Sequence, residues 1–109
     1  MPTPHRPAAA VRKALRTMGA DIQDARKRRR LPMSVLAERA FTSRATLQRI
    51  EAGDPGVGVG IYGAVLQALG LLDELASVAE LSRDTVGQSL AAADLPARAR
   101  LRRLGKPDA

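Results

Sequence analysis

Residues 32–55, PMSVLAERAFTSRATLQRIEAGDP, constrain the fold most, because they read as two short helices joined by a tight turn. Pro32 stops the preceding helix and suits the start of the next one. Ser34–Ala40 is the first of the pair, with Leu36, Ala37 and Ala40 inward. Ser43 is a good N-cap for the second, which Gly53 and Pro55 end. In that helix Leu47 and Ile50 are three apart and face a core, which leaves Arg44, Ala45, Gln48 and Arg49 on a different face.

The flanking segments carry the same period. Met18–Arg30 has apolar positions at Met18, Ile22 and Ala25, with Asp21 and Asp24 in its early turns and Lys27–Arg30 late, complementing the helix dipole. Ala8–Thr17 is Ala-rich and basic, an extra helix or a mobile arm, after a proline-rich start expected to be disordered. GDPGVGVG is a glycine-rich loop, but it has no Walker lysine and follows no strand, so it is not read as a nucleotide-phosphate loop. A fourth helix is expected from about Ile61 to Leu69, with Ile61, Val65, Leu66 and Leu69 as its apolar stripe and Gly70 as its stop. Leu72–Leu81 reads as a fifth, with Leu75, Val78 and Ala79 apolar, and residues 84–93 as a weak sixth element before Pro96 and a basic tail, ARARLRRLGKPDA. No segment alternates as a strand does, and no repeat is evident. The expected fold is all-α: an arm or extra helix at 1–17, a five-helix domain at 18–81, and a partly disordered extension at 82–109.

Composition narrows the function. Of the 109 residues 45% are hydrophobic, enough for one small core, and only 2% are aromatic, which favours thin helical packing. There is no Cys, hence no disulfide and no Cys-ligated zinc. The single His, His5, argues against a Ser-His-Asp triad and a two-His metal site, so neither an enzyme nor a cofactor or metal site is expected. No apolar run reaches the ~18 residues of a membrane span, and the start lacks a signal-peptide core. A soluble, cytoplasmic protein follows as the expectation. The net charge of +7 is uneven: residues 1–30 hold nine basic and two acidic side chains, residues 61–97 one basic and five acidic, residues 98–109 five basic and one acidic. A basic front and tail around an acidic segment suit a polyanion. Phe41 and Tyr62 are the only aromatics, too few for a single-strand or RNA stacking platform.

Two short helices joined by a three- to four-residue turn give the layout of a helix-turn-helix. VLAERAFTSRATLQRIEAG followed by VLQALGL resembles the lambda-repressor-like (XRE) family across roughly residues 18–80. RATLQRIEAGDPGVGVGIYGAVLQALGLLDELASVA and then LPARAR further resemble HipB-type antitoxins, encoded beside HipA-like kinases. The resemblance implies a lambda-repressor-like helix-turn-helix domain that binds an operator in double-stranded DNA as a homodimer, represses transcription, is nucleoid-associated and binds a HipA-like kinase toxin. A stand-alone regulator of the same family is the alternative.

The residue types agree with a major-groove role: Arg44 and Arg49 offer bidentate donors for guanine, Gln48 can pair with adenine, and Ala45 can touch a thymine methyl. Phosphate contacts are expected from Ser43 and Thr46, from Lys27 and Arg28, and from the start of the fourth helix through the Gly60 amide and the Tyr62 hydroxyl. The resemblance also implies a buried ion pair between Arg26 and Glu51. A dimer interface is expected along Leu72, Leu75, Val78 and Leu81, which offer more apolar surface than a small monomer needs to expose. One position departs from the family pattern: Phe41 stands where the turn usually has Gly. If that turn is left-handed, Phe carries about 1 kcal/mol of strain, unless the turn is reshaped or burial of the ring compensates. The tail, Leu95–Ala109, is open to three roles: toxin binding, extra phosphate contacts, or none.

Overall fold

The computed structural model describes residues 6–94; His5 and the tail from Leu95 onward lie outside the described residues. Every regular element among them is helical. The chain divides into two compact units, with the division between Leu75 and Ala76.

The first unit holds α1 (Ala9–Arg28), α2 (Met33–Arg39), α3 (Arg44–Glu51), α4 (Val59–Leu69) and the start of α5 (Leu72–Ala76). Helix α1 is continuous across residues 17 and 18, so the segment expected as an arm or separate helix is its first half. The Ala-rich run supplies the propensity that carries the helix through. Asp21 and Asp24 consequently sit mid-helix, where they do little for the dipole; Arg26, Lys27 and Arg28 do occupy the last turn.

Helices α1 to α4 end in the same way. A left-handed residue donates its N–H back three residues, and its successor donates back five. The pairs are Arg30 to Lys27 with Leu31 to Arg26, Phe41 to Glu38 with Thr42 to Ala37, Gly53 to Ile50 with Asp54 to Arg49, and Gly70 to Gln67 with Leu71 to Leu66. Helix α1 thus closes on Arg30, at φ +53°, before Pro32 is reached, and Pro32 instead caps α2.

The core takes Ile22 and Ala25 from α1, Leu36 and Ala37 from α2, Ala40, Leu47 and Ile50 around and within α3, then Val57 and the α4 residues Tyr62, Val65, Leu66 and Leu69. Each large aliphatic side chain among these contributes about 1.5–3 kcal/mol on burial. Helix α4 begins at Val59, two residues earlier than its apolar stripe suggests, and its inward row runs through Tyr62. Ile61, expected inside, is 38% exposed.

Two glycines set how closely α1 lies on the end of α3. A Cβ built on Gly19 would stand 2.5 Å from the Ile50 carbonyl oxygen and 2.8 Å from the Gly53 nitrogen. A Cβ on Gly53, itself at φ +77°, would stand 2.6 Å from the Arg16 backbone. Backbone therefore meets backbone here, and no side chain fits between them.

In the second unit a turn at Ser77–Ala79 leads to a single 3-10 turn at Leu81–Arg83 and then to helical residues from 85 to 94. Asp84 caps that helix through the Gly87 N–H. Helix α5 was expected to reach Leu81 and instead stops at Ala76. Ser77 and β-branched Val78 are weaker helix formers than the Leu and Glu before them.

Candidate nucleic-acid interface

Helix α3 is fixed at its start by Ser43, whose Oγ accepts the Thr46 N–H at 3.0 Å and donates to Thr46 Oγ1 at 2.9 Å. It is anchored along one side by Leu47 and Ile50, both fully buried. At ~100° per residue, Arg44, Ala45, Gln48 and Arg49 span an arc of about 140° on the opposite side. All four are exposed. The structure thus brings the four base-contact candidates onto one solvent-facing surface of a short, well-anchored helix.

The far end of α3 is tied to α1. Arg26 Nε donates to Glu51 Oε2 at 2.7 Å, Arg26 Nη2 donates to Glu51 Oε1 at 3.1 Å, and Arg26 Nη1 donates to the Leu31 carbonyl at 3.1 Å. Both side chains are nearly buried, at 10% and 4% exposure. The Glu51 hydrogen bond raises the Arg26 pKa further above its already high ordinary value, so the guanidinium is charged at any relevant pH. A buried guanidinium with a two-point carboxylate and a carbonyl is a satisfied arrangement; removing either partner strands a charge.

The phosphate-contact candidates separate. Lys27 and Arg28 are exposed in the last turn of α1. Gly60 is exposed in the first turn of α4, whose N-cap, Gly58, has no side chain to occupy the free amides of that turn, the groups an anion would use. Ser43 has its proton committed to Thr46, whereas Thr46 keeps its own O–H as a donor. Tyr62, unlike these, is buried. Its residue is 4% exposed, and its hydroxyl donates to the Asp54 carbonyl at 2.8 Å. Burial, then the Asp54 charge, raise its pKa, so it stays a neutral phenol bridging α4 to the α3–α4 loop. Tyr62 is therefore not placed for the expected phosphate contact: its ring completes the core and its hydroxyl is taken by the Asp54 carbonyl.

Phe41 is left-handed, at φ +55°, and 96% exposed. The turn is not reshaped, and no burial offsets its strain. The four interface candidates also separate. Leu75 packs against the core of the first unit and Leu72 is 38% exposed on α5, while Val78 and Leu81, 70% and 60% exposed, belong to the second unit outside α5. They do not form one stripe of one helix.

Asp54 was missed at the sequence level. Its Oδ2 accepts Arg49 Nε–H at 2.7 Å and its Oδ1 accepts the Gly56 N–H at 2.7 Å. These two bonds hold its carboxyl below the usual carboxylate range, so it is ionised at neutral pH. Its signal lay in the order Gly53-Asp54-Pro55: an Asp directly after a helix-ending Gly can reach back over the last turn.

Among the described residues no three His, Cys, Asp or Glu side chains group as metal ligands, and no helix is long and apolar enough to cross a membrane. No family model matches the chain, and no curated protein or solved structure matches it.

Proposed function

We propose that this chain is a sequence-specific double-stranded DNA-binding protein that lays α3 in the major groove, with α2 and α3 as a helix-turn-helix. The observation that carries this reading is the exposed set Arg44, Ala45, Gln48 and Arg49 on a helix fixed at both ends and along its inner side. Arg and Gln are the side chains that read guanine and adenine edges, and Ala lets the helix lie deep. The basic α1 end and the open start of α4 would supply phosphate contacts.

Within that class, the particular reading is a homodimeric transcriptional repressor of the lambda-repressor-like type, nucleoid-associated, acting as the antitoxin of a HipBA-like module. Its support is the sequence resemblance, and the alternative is a stand-alone regulator without a toxin. Pull-down with the full chain separates the two: a captured kinase-like protein supports the antitoxin role, and its repeated absence favours the stand-alone regulator.

The DNA reading is tested by selecting duplexes from a random pool and measuring binding of the selected and a scrambled duplex at several salt concentrations. A selected sequence bound at least ~10³-fold more tightly than the scrambled one supports it. Equal affinity for both, varying only with salt, refutes sequence readout.

A further inference from the structure

The Arg49 side chain is not free on the surface of α3. We infer that Asp54 is a positioning residue that sets the Arg49 guanidinium for two-point recognition of one guanine, so that the α3–α4 loop helps choose the DNA sequence; this rests on the DNA-binding reading above.

Five bonds fix Asp54, one of them a long one, at 3.4 Å, from the Val57 N–H to the Asp54 carbonyl. Its N–H donates to the Arg49 carbonyl at 2.9 Å, its carbonyl accepts the Tyr62 hydroxyl at 2.8 Å, and its two carboxylate oxygens take the Gly56 N–H and Arg49 Nε–H. Tyr62 is buried in the core, so the loop carboxylate is referenced to the rigid part of the fold. The bond to Arg49 uses Nε, which leaves the two terminal nitrogens of the fork for an acceptor pair such as guanine O6 and N7. The Arg49 side chain remains 51% exposed, with Nη2 near Gly56, where glycine leaves room beside it: a Cβ there would lie 3.2 Å from Nη2. A free Arg loses rotamer freedom on binding; one already held loses less. The carboxylate also carries a cost, because it places a negative charge beside a polyanion. Charge and positioning therefore push affinity in opposite directions when Asp54 is removed.

The test measures anisotropy of the full chain on its selected duplex, on single-position variants of that duplex, and on random duplex. Asp54→Ala should bind the selected duplex about two- to tenfold more weakly, the range expected for freeing one long side chain. It should lose discrimination at one guanine alone and bind random duplex as tightly as wild type or slightly more so. In an Arg49→Ala background the same change should leave discrimination untouched. Asp54→Asn keeps an acceptor for the Gly56 N–H and so keeps the loop closed; it should relax the same position, and it decides the matter if Asp54→Ala melts early. Tighter binding to every duplex, an even loss at all positions, or unchanged discrimination overturns the positioning role and leaves the DNA reading standing. Wild-type protein that shows no preference among duplexes overturns both.

Discussion

Replacing Gly19 with Ala should destabilise the protein, although the same change in an open helix normally stabilises it. In a helix interior Ala is favoured over Gly by about 0.5–1 kcal/mol. At Gly19, however, the new methyl would lie 2.5 Å from the Ile50 carbonyl oxygen, 2.7 Å from the Glu51 carbonyl oxygen and 2.8 Å from the Gly53 nitrogen. All three are backbone atoms, so no rotamer change can relieve the contact. Ordinary contact needs close to 3.4 Å, so α1 and the end of α3 must separate by somewhat under 1 Å. Overpacking of this kind costs about 1–3 kcal/mol. Net of propensity, a loss of up to about 2.5 kcal/mol remains, centred a little above 1 kcal/mol, and it grows if the shift stretches the Arg26–Glu51 bonds. For a domain of this size that lowers Tm by about 5–15 °C. Thermal melts followed by far-UV circular dichroism would measure it, with Gly60→Ala as the comparison, since nothing lies within 4 Å of a Cβ there. If Gly19→Ala melts at or above wild type, α1 does not rest on the end of α3 as described, and the reasoning fails.

Phe41→Asn should raise stability by about 1 kcal/mol, because Asn tolerates the left-handed region and the 96%-exposed ring gives up no burial; chemical denaturation showing a loss would mean the ring makes a stabilising contact. Glu51→Ala should cost about 3–5 kcal/mol by leaving Arg26 charged and buried, and a midpoint shift worth under 1 kcal/mol in urea would contradict a buried pair. Arg44→Ala should cost about 1–3 kcal/mol on the selected duplex and relax one base position, whereas equal loss on random duplex would make Arg44 a phosphate contact. Neutralising Lys27 and Arg28 together should shallow the log–log salt slope by about 2 units if both touch phosphate, and an unchanged slope would make them a solvated helix end.

The parts of the fold visible in the sequence were those with a local chemical signal. Ser43 caps α3 because its hydroxyl reaches the Thr46 N–H, and that is readable from Ser followed by a helical run. Gly53 and Gly70 stop α3 and α4 because they adopt φ near +80° freely. Arg30 and Phe41 perform the same stop with no such signal, since their side chains do not favour the left-handed backbone that the closing hydrogen bonds require. The extent of α1 was misjudged because an Ala-rich, basic run has helix propensity but no inward stripe, so periodicity could not tell helix from arm. Helix α5 was drawn too long for the opposite reason: apolar residues at Val78 and Leu81 continue the period, but the backbone leaves the helix at Ala76. The four exposed α3 residues were legible because Leu47 and Ile50 define the inner side. Asp54 was not, since its partnership with Arg49 exists only once the left-handed Gly53 turns the chain back over α3.

The ties on α3 act from its inner side and its ends, and among the described residues none runs through the side chains of Arg44, Ala45 or Gln48. Ser43 holds the start, Leu47 and Ile50 hold the buried side, Glu51 holds the end to α1, and Asp54 with Tyr62 holds the loop beyond. Stability and recognition are therefore separable on this helix. Exposed substitutions away from caps, cores and pairs usually stay within about ±0.5 kcal/mol. Ala substitution of Arg44 and Gln48 together should leave the melt within a few degrees of wild type while removing discrimination on the selected duplex. The same pair of measurements on Leu47→Ala should show the reverse order of events, a loss of about 2–5 kcal/mol of stability that precedes any statement about binding. If the Arg44 and Gln48 double substitution unfolds the chain, then the outer side of α3 is part of what holds the domain together, and the division between scaffold and reading surface is wrong.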